Sequence, residues 1–152
     1  MKELFAFLAE HRAMHLATAG REGPHAAPLF YALDNRPIRL IFLSARETRH
    51  IQEILRDPRA AASVAYAGTE PREIRGAQLW GRVEAPRDAT SCLLRYLARF
   101  AEAGNYLPSN VLSHLWEFRV ERARWIDNRE GFGHRLEWSL AHGEGGDETS
   151  GL

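Results

Sequence analysis

The stretch Ser44-Ala45-Arg46-Glu47-Thr48-Arg49-His50 gathers two hydroxyls, a carboxylate and three potential cations in one short segment. Ser44 and Glu47 have the spacing of a capping box, in which the serine satisfies a free N–H and the glutamate reaches back. A helix is therefore expected to open at Ser44, carry Ile51, Ile54 and Leu55 on one stripe and stop before Asp57-Pro58. Arg46, Arg49 and His50 would then occupy its first two turns, where the positive end of the helix dipole disfavours cations. An anion turns that misfit into a binding site, because free N–H groups, hydroxyls and guanidinium converge on it. Arg49 could grip a phosphate through two parallel hydrogen bonds. The plainer alternative makes Ser44 only a cap and the basic residues a solvated face partnered by Glu47 and Glu53. Taken alone, the segment favours that alternative.

Gln78 is the second candidate. With period two over residues 74–84, Arg75, Ala77, Leu79, Gly81 and Val83 share one face, and Gly76, Gln78, Trp80 and Arg82 share the other. An amide beside an indole suits a polar planar ring or a partner subunit; a rim tryptophan packed under a loop fits equally well. Trp116, Trp125 and Trp138 read first as core or interface. Other chemistries find no foothold. His11 and His15 straddle a change from helix to strand, and no H-E-x-x-H or Cys/His cluster occurs, so no metal site is expected. There is no G-x-S-x-G elbow and no phosphate-cradling P-loop. Cys92 sits mid-helix beside Leu93 as a small hydrophobe. Any reactivity is then expected from an organic cofactor.

The elements that must position these residues follow from patterning. The 152 residues suffice for one domain with its own core. Lys plus Arg (20) equals Asp plus Glu (20), which leaves no footprint for nucleic acid. A single cysteine fits a reducing compartment, and neither a signal peptide nor an apolar run of membrane length is present; a soluble cytoplasmic protein is expected. A short amphipathic helix is expected over 2–12, then strands over 14–19, 25–33 and 38–44 separated by turns at Gly23-Pro24 and Asp34-Asn35-Arg36-Pro37. The third strand is apolar on both faces and should be central. Further strands are expected over 60–67, 74–84, 116–121 and 132–140, with a helix over 88–101. Adjacent Glu121 and Arg122 break the alternation before Trp125, which indicates a β-bulge. The Gly- and acid-rich tail from 141 is expected to be disordered. Seven strands joined mostly by short loops, with helices at the side, predict a mainly β fold, an antiparallel Greek-key barrel flanked by helices.

This order of elements, with S-x-x-x-T-R-H after a hydrophobic strand, resembles the pyridoxamine 5'-phosphate oxidase-like FMN-binding split-barrel family. There the corresponding stretch is typically T-x-x-x-S-R-K and grips the FMN phosphate. Ser44, Thr48 and Arg49 match by position, and His50 stands where lysine is usual. Asp57-Pro58-Arg59 is similar to the family's N-P-R continuation. A closer resemblance, to the uncharacterised YhbP-like branch, is carried by Ile74-Arg75-Gly76 with Gln78 and Gly81, by Leu115-Trp116-Glu117, and by Asp127-Asn128 with Gly131-Phe132-Gly133.

The resemblance implies a split β-barrel and a homodimer with FMN at its interface, the flavin ring lying against the backbone of the second strand. By position this implicates Pro28, Leu29, Phe30 and Tyr31, with Gln78 near the ring or the partner. It implies a flavin-dependent oxidoreductase that exchanges electrons with a small molecule. The alternative is a non-catalytic flavin- or haem-binding module for storage, sensing or stress, and the deazaflavin F420 is less favoured. Histidine in place of lysine, and no lysine or arginine on the second strand, imply a looser phosphate grip than in a full oxidase. Phe132-Gly133-His134-Arg135 does not match the substrate-binding arginine and histidine of pyridoxamine-phosphate oxidases, so that activity itself is not expected.

Overall fold

The computed structural model describes residues 1–35 and 37–140; the tail expected to be disordered lies outside them. Helix α1 (Lys2–Glu10) buries Leu4, Phe7 and Leu8, the stripe its spacing dictates. Strands β1 (Ala13–Gly20) and β2 (Gly23–Phe30) form a hairpin. The chain then breaks at Tyr31 and continues as β3 (Ala32–Asn35), which pairs with β4 (Ile38–Leu43). The single expected strand over 25–33 is thus two. The break follows from Tyr31 itself: its ring turns into the core, its hydroxyl donates to the Leu8 carbonyl (2.7 Å), and its N–H donates to the Arg12 carbonyl (2.9 Å).

Helix α2 (Arg49–Arg56) leads into β5 (Arg59–Tyr66), β6 (Arg75–Glu84), helix α3 (Ala89–Arg99), the long strand β7 (Leu115–Asp127) and β8 (Arg135–Ser139). All strand pairs are antiparallel, and the hydrogen-bonded path runs β2-β1-β5-β6-β7-β4-β3, with β8 on β7. This corrects the expected architecture. The path ends at β2 and β3, which do not pair, so the sheet is open and the expected split barrel is not formed. The fold is mixed α/β on one large antiparallel sheet. Pro24 and Pro28 on β2 help to explain the open end, since proline has no N–H to complete another ladder and is confined to edge strands.

The main core takes Leu16, Leu40, Phe42, Leu79 and Phe118 from the sheet, with Leu4 and Leu8 of α1 and Ile51 and Ile54 of α2. A second cluster lies under α3, where Cys92 and Tyr96 cover Ile41 and Leu115. Strand β4 is therefore covered on both faces, as its apolar run over residues 40–43 requires. Burial raises the Cys92 thiol above its ordinary range, which suits a protonated packing residue. The bulge is present: Trp80 pairs with Arg122 but Gly81 pairs with Val120, leaving Glu121 as the extra residue.

Gly81 faces the Arg119 carbonyl so closely that a β-carbon there would strike its oxygen. Gly81→Ala is expected to cost about 1–3 kcal/mol in urea unfolding, because backbone rather than a flexible side chain must yield. An unchanged midpoint would show that the bulge relaxes freely. At the chain's end, Asn128 ties the turn after β7 down: its Nδ2 donates to the Pro71 carbonyl (2.9 Å) and its Oδ1 accepts from the Gly133 N–H (3.2 Å). That turn delays the last strand to Arg135, three residues later than expected.

Candidate functional site

The segment after β4 does not form the expected capping box. The Ser44 N–H donates to the His114 carbonyl (2.8 Å), and the Ser44 carbonyl accepts from Trp116 Nε1 (3.0 Å), which fixes the residue against the start of β7. Residues 45–48 then make a turn, closed by the Thr48 N–H (3.2 Å) and hydroxyl (2.8 Å) on the Ala45 carbonyl. Thr48, with extended backbone, becomes the N-cap, and α2 opens at Arg49. Arg46 stays outside the helix, its guanidinium 5.6 Å from the Trp116 ring centre.

The Ser44 hydroxyl is free to turn inward. Its Oγ lies 2.7 Å from His50 Nε2 and 3.2 Å from Thr48 Oγ1, which is itself 3.3 Å from the same imidazole nitrogen. Ser44, Thr48 and His50 thus form one cluster, and Arg49 leaves it from the adjacent helical position. The Arg49 side chain is half exposed; its Nε donates to Glu53 Oε1 (2.8 Å), and its Nη1 lies 3.9 Å from the exposed Glu22 carboxylate. A groove of about 250 Å³ opens beside Ser44 and Ala45, walled by Leu43, Leu107 and Val111.

Sequence reasoning gave Glu53 only a surface role, yet it is buried beside Arg49 and His25. It accepts from the Thr18 hydroxyl (2.5 Å) and from Arg49, and lies 3.5 Å from His25 Nδ1. The Arg49 guanidinium first, then Thr18, hold its carboxyl below the usual range against the opposing effect of burial. The one available signal was the i, i+4 spacing of Arg49 and Glu53. Thr18 and His25 depend on strand register, which the sequence does not display.

His50 is almost fully buried, and its pKa is pushed down by that burial first and by His25 next, with Glu53 opposing. It therefore joins the site as a neutral donor or acceptor. The unfolded chain binds a proton below about 6.5 that folded His50 resists, so this residue's contribution is full above that pH and is lost as pH falls through the depressed folded value. His50→Gln should flatten the decline of the thermal midpoint between about pH 7 and pH 5. An identical decline in both proteins would assign the acid sensitivity elsewhere.

The remaining candidates are spread out. Pro28 and Phe30 are exposed on β2 and Leu29 is half-buried, with the Phe30 ring 5.4 Å from Phe100. Tyr31 points into the core, and burial raises its hydroxyl far above the ordinary range. Beyond its pairing with β1, β2 keeps a free edge among the described residues. Gln78 lies elsewhere. It pairs with Ser63 and Arg124, on the sheet face opposite the row that holds Thr18, Ala60 and Gly81, and its Oε1 accepts from Arg124 Nη1 (3.2 Å). It does not join the α2 cluster. Its neighbour Trp80 has Arg122 and Arg124 at 4.2 and 5.5 Å from its ring centre and lines a cleft of about 420 Å³ with Ala17, Ala19, Ala61 and Arg59.

Residues 1–127 match the model of the pyridoxamine 5'-phosphate oxidase family. The chain belongs to this family. Within it, the chain is similar to the UPF0306 protein YhbP of Salmonella paratyphi C, 33% identical over an alignment of 120 residues, with 74% of each protein covered. It is also similar to a UPF0306 protein of Yersinia pseudotuberculosis, 27% identical over 138 residues and 88% of each. Two solved structures share the fold. One is a haem-binding protein from Mycobacterium smegmatis (TM-score 0.71, 24% identity, 88% of this chain and 55% of that one). The other, from Clostridium acetobutylicum, is related to a general stress protein of the pyridoxinephosphate oxidase family (TM-score 0.68, 12% identity, 91% and 93% covered). Family membership thus places the chain on a cofactor-binding fold, with its S-x-x-x-T-R-H segment on the hydroxyl cluster at the start of α2.

The residue types at the start of α2 suit an anionic group such as a phosphate. Two hydroxyls meet, a half-exposed guanidinium follows at the next helical position, and His25 Nδ1 is a buried ring nitrogen with no hydrogen-bond partner among the described residues. No helix among those residues is long and apolar enough to cross a membrane.

Proposed function

We propose that this chain binds FMN and works as a flavin-dependent oxidoreductase on a small molecule. The observation that carries the reading is the Ser44–Thr48 hydroxyl cluster at the start of α2, with the half-exposed Arg49 at the next helical position and His25 of β2 beside His50. Arg49 and the two hydroxyls hold the phosphate, and the backbone of Pro28, Leu29, Phe30 and Tyr31 runs along the ring. Bound FMN would supply the electron transfer. His50, neutral, adds a hydrogen bond but no charge, so the grip is looser than one built on lysine. In this reading the functional unit is a homodimer, in which Gln78 and Trp80 face the partner or its ring; this removes the difficulty that they sit on the far face of their own sheet. Pyridoxamine-phosphate oxidation is not the proposed activity, because the Phe132-Gly133-His134-Arg135 segment lacks the family's substrate-binding pattern.

The test is the visible spectrum of freshly expressed protein, with the mass of whatever denaturation releases. A flavin spectrum with released FMN, or one regained on adding FMN, supports the reading; turnover with reduced nicotinamides and common acceptors then separates an enzyme from a binder. A second reading, a haem-binding module, is favoured by the likeness to the haem-binding fold and by the adjacent His25 and His50, whose rings are 6.3 Å apart. A Soret band on haem titration without any flavin uptake decides for it.

A further inference from the structure

Glu53 sits where a carboxylate is least welcome, almost fully buried and beside a site read as holding phosphate. Three elements nevertheless make room for it. Thr18 on β1 donates to its Oε2, Arg49 on its own helix donates to Oε1, and His25 on β2 lies against Oε2. The fourth side is Gly20, where a β-carbon would land on Glu53 Oε1. A carboxylate held on every side fixes whatever hydrogen-bonds to it.

Resting on the phosphate reading above, we propose that Glu53 is a positioning residue for Arg49. By taking the Nε hydrogen it fixes the guanidinium plane and leaves the two terminal nitrogens for the ligand; among the described residues, Nη1 has the exposed Glu22 carboxylate at 3.9 Å as its other partner. Arginine carries several rotatable bonds, and ordering them before the ligand arrives removes that cost from binding. The competing effect is Coulombic: an anion beside an anion weakens binding. The two have opposite consequences, which makes the role testable. Glutamine keeps the shape and an acceptor for Nε without the charge, whereas alanine removes both.

The experiment is equilibrium titration of the full chain with FMN and with riboflavin, which lacks the phosphate, so that their affinity ratio isolates the phosphate grip. Glu53→Ala should lower the FMN-over-riboflavin preference about three- to tenfold, while Glu53→Gln keeps or raises it. In an Arg49→Ala background, Glu53→Ala should cause no further loss of that preference. If both Glu53 variants raise the preference equally, or neither changes it, Glu53 does not position Arg49, although the phosphate reading stands as long as Arg49→Ala abolishes the preference. If Arg49→Ala leaves the preference intact, the phosphate reading fails and this inference with it. Should Glu53→Ala not fold, Gly20→Ala displaces the carboxylate while keeping it, and must give the same three- to tenfold loss; an unchanged ratio overturns the proposal.

Discussion

Arg49→Ala is expected to weaken FMN binding on the order of ten- to a hundredfold, the consequence of losing a charge-assisted hydrogen-bonding partner. Riboflavin binding should hardly change, because the guanidinium acts on the phosphate alone. The size follows from the charge balance around α2. Burial holds His50 towards its neutral form, Arg49 and Thr18 hold Glu53 towards its ionised form, and Arg46 lies over Trp116, which in this reading leaves Arg49, next in sequence to Thr48, as the cation for the phosphate. Its loss leaves two hydroxyls and an imidazole, which can hydrogen-bond an anion but cannot neutralise it. Arg49→Lys should recover only part of the affinity, since an ammonium cannot bond Glu53 and present a planar fork at once. Titration by flavin fluorescence quenching reads all three proteins. Equal affinity in wild type and Arg49→Ala would remove the phosphate from this site.

Glu117→Ala is expected to cost about 3–5 kcal/mol of folding stability, the range for breaking a buried ion pair from one side. Glu117 has no exposed surface. It accepts from Arg39 Nη1 (2.6 Å) and Arg119 Nη2 (3.3 Å), on the sheet face that α3 covers. Arg39 also pairs with Asp34, and Arg119 with the half-exposed Glu84 at 3.0 Å. Without Glu117 both guanidiniums depend on carboxylates nearer the rim, while Nε of each is already buried without a partner. The loss is a large part of the roughly 5–15 kcal/mol that holds a typical domain together. Glu117→Gln keeps an acceptor and should lose less. Urea unfolding measures the difference, and a loss under about 1 kcal/mol would show that Asp34 and Glu84 suffice.

What could be read from the residues, and what could not, divides along physical lines. The largely apolar run of β4, the amphipathic character of α1 and the bulge at Glu121 are local patterns, and each is present. Sheet closure is not local. It depends on whether β2 meets β3, and nothing in a run of alternating residues states which strands lie at the ends. The same holds within the site. Ser44, Thr48, Arg49 and His50 lie close in sequence, so their gathering was legible, but the start of the helix was misread because the Ser44 N–H is claimed by His114 from a distant segment. Glu53 was visible as an i+4 partner; its burial, and its contacts with Thr18 and His25, came only with the packing of α2 on β1 and β2. Gln78 and Trp80 share a face as the period-two reading requires, yet which side of the sheet that face occupies relative to α2 needed the register.

A crystal structure of the chain grown with FMN tests the central claim most directly. The account predicts the phosphate within hydrogen-bonding distance of the Arg49 guanidinium and of the Ser44 or Thr48 hydroxyl, with the ring along β2. A phosphate bound elsewhere, with the start of α2 facing only solvent, would contradict it.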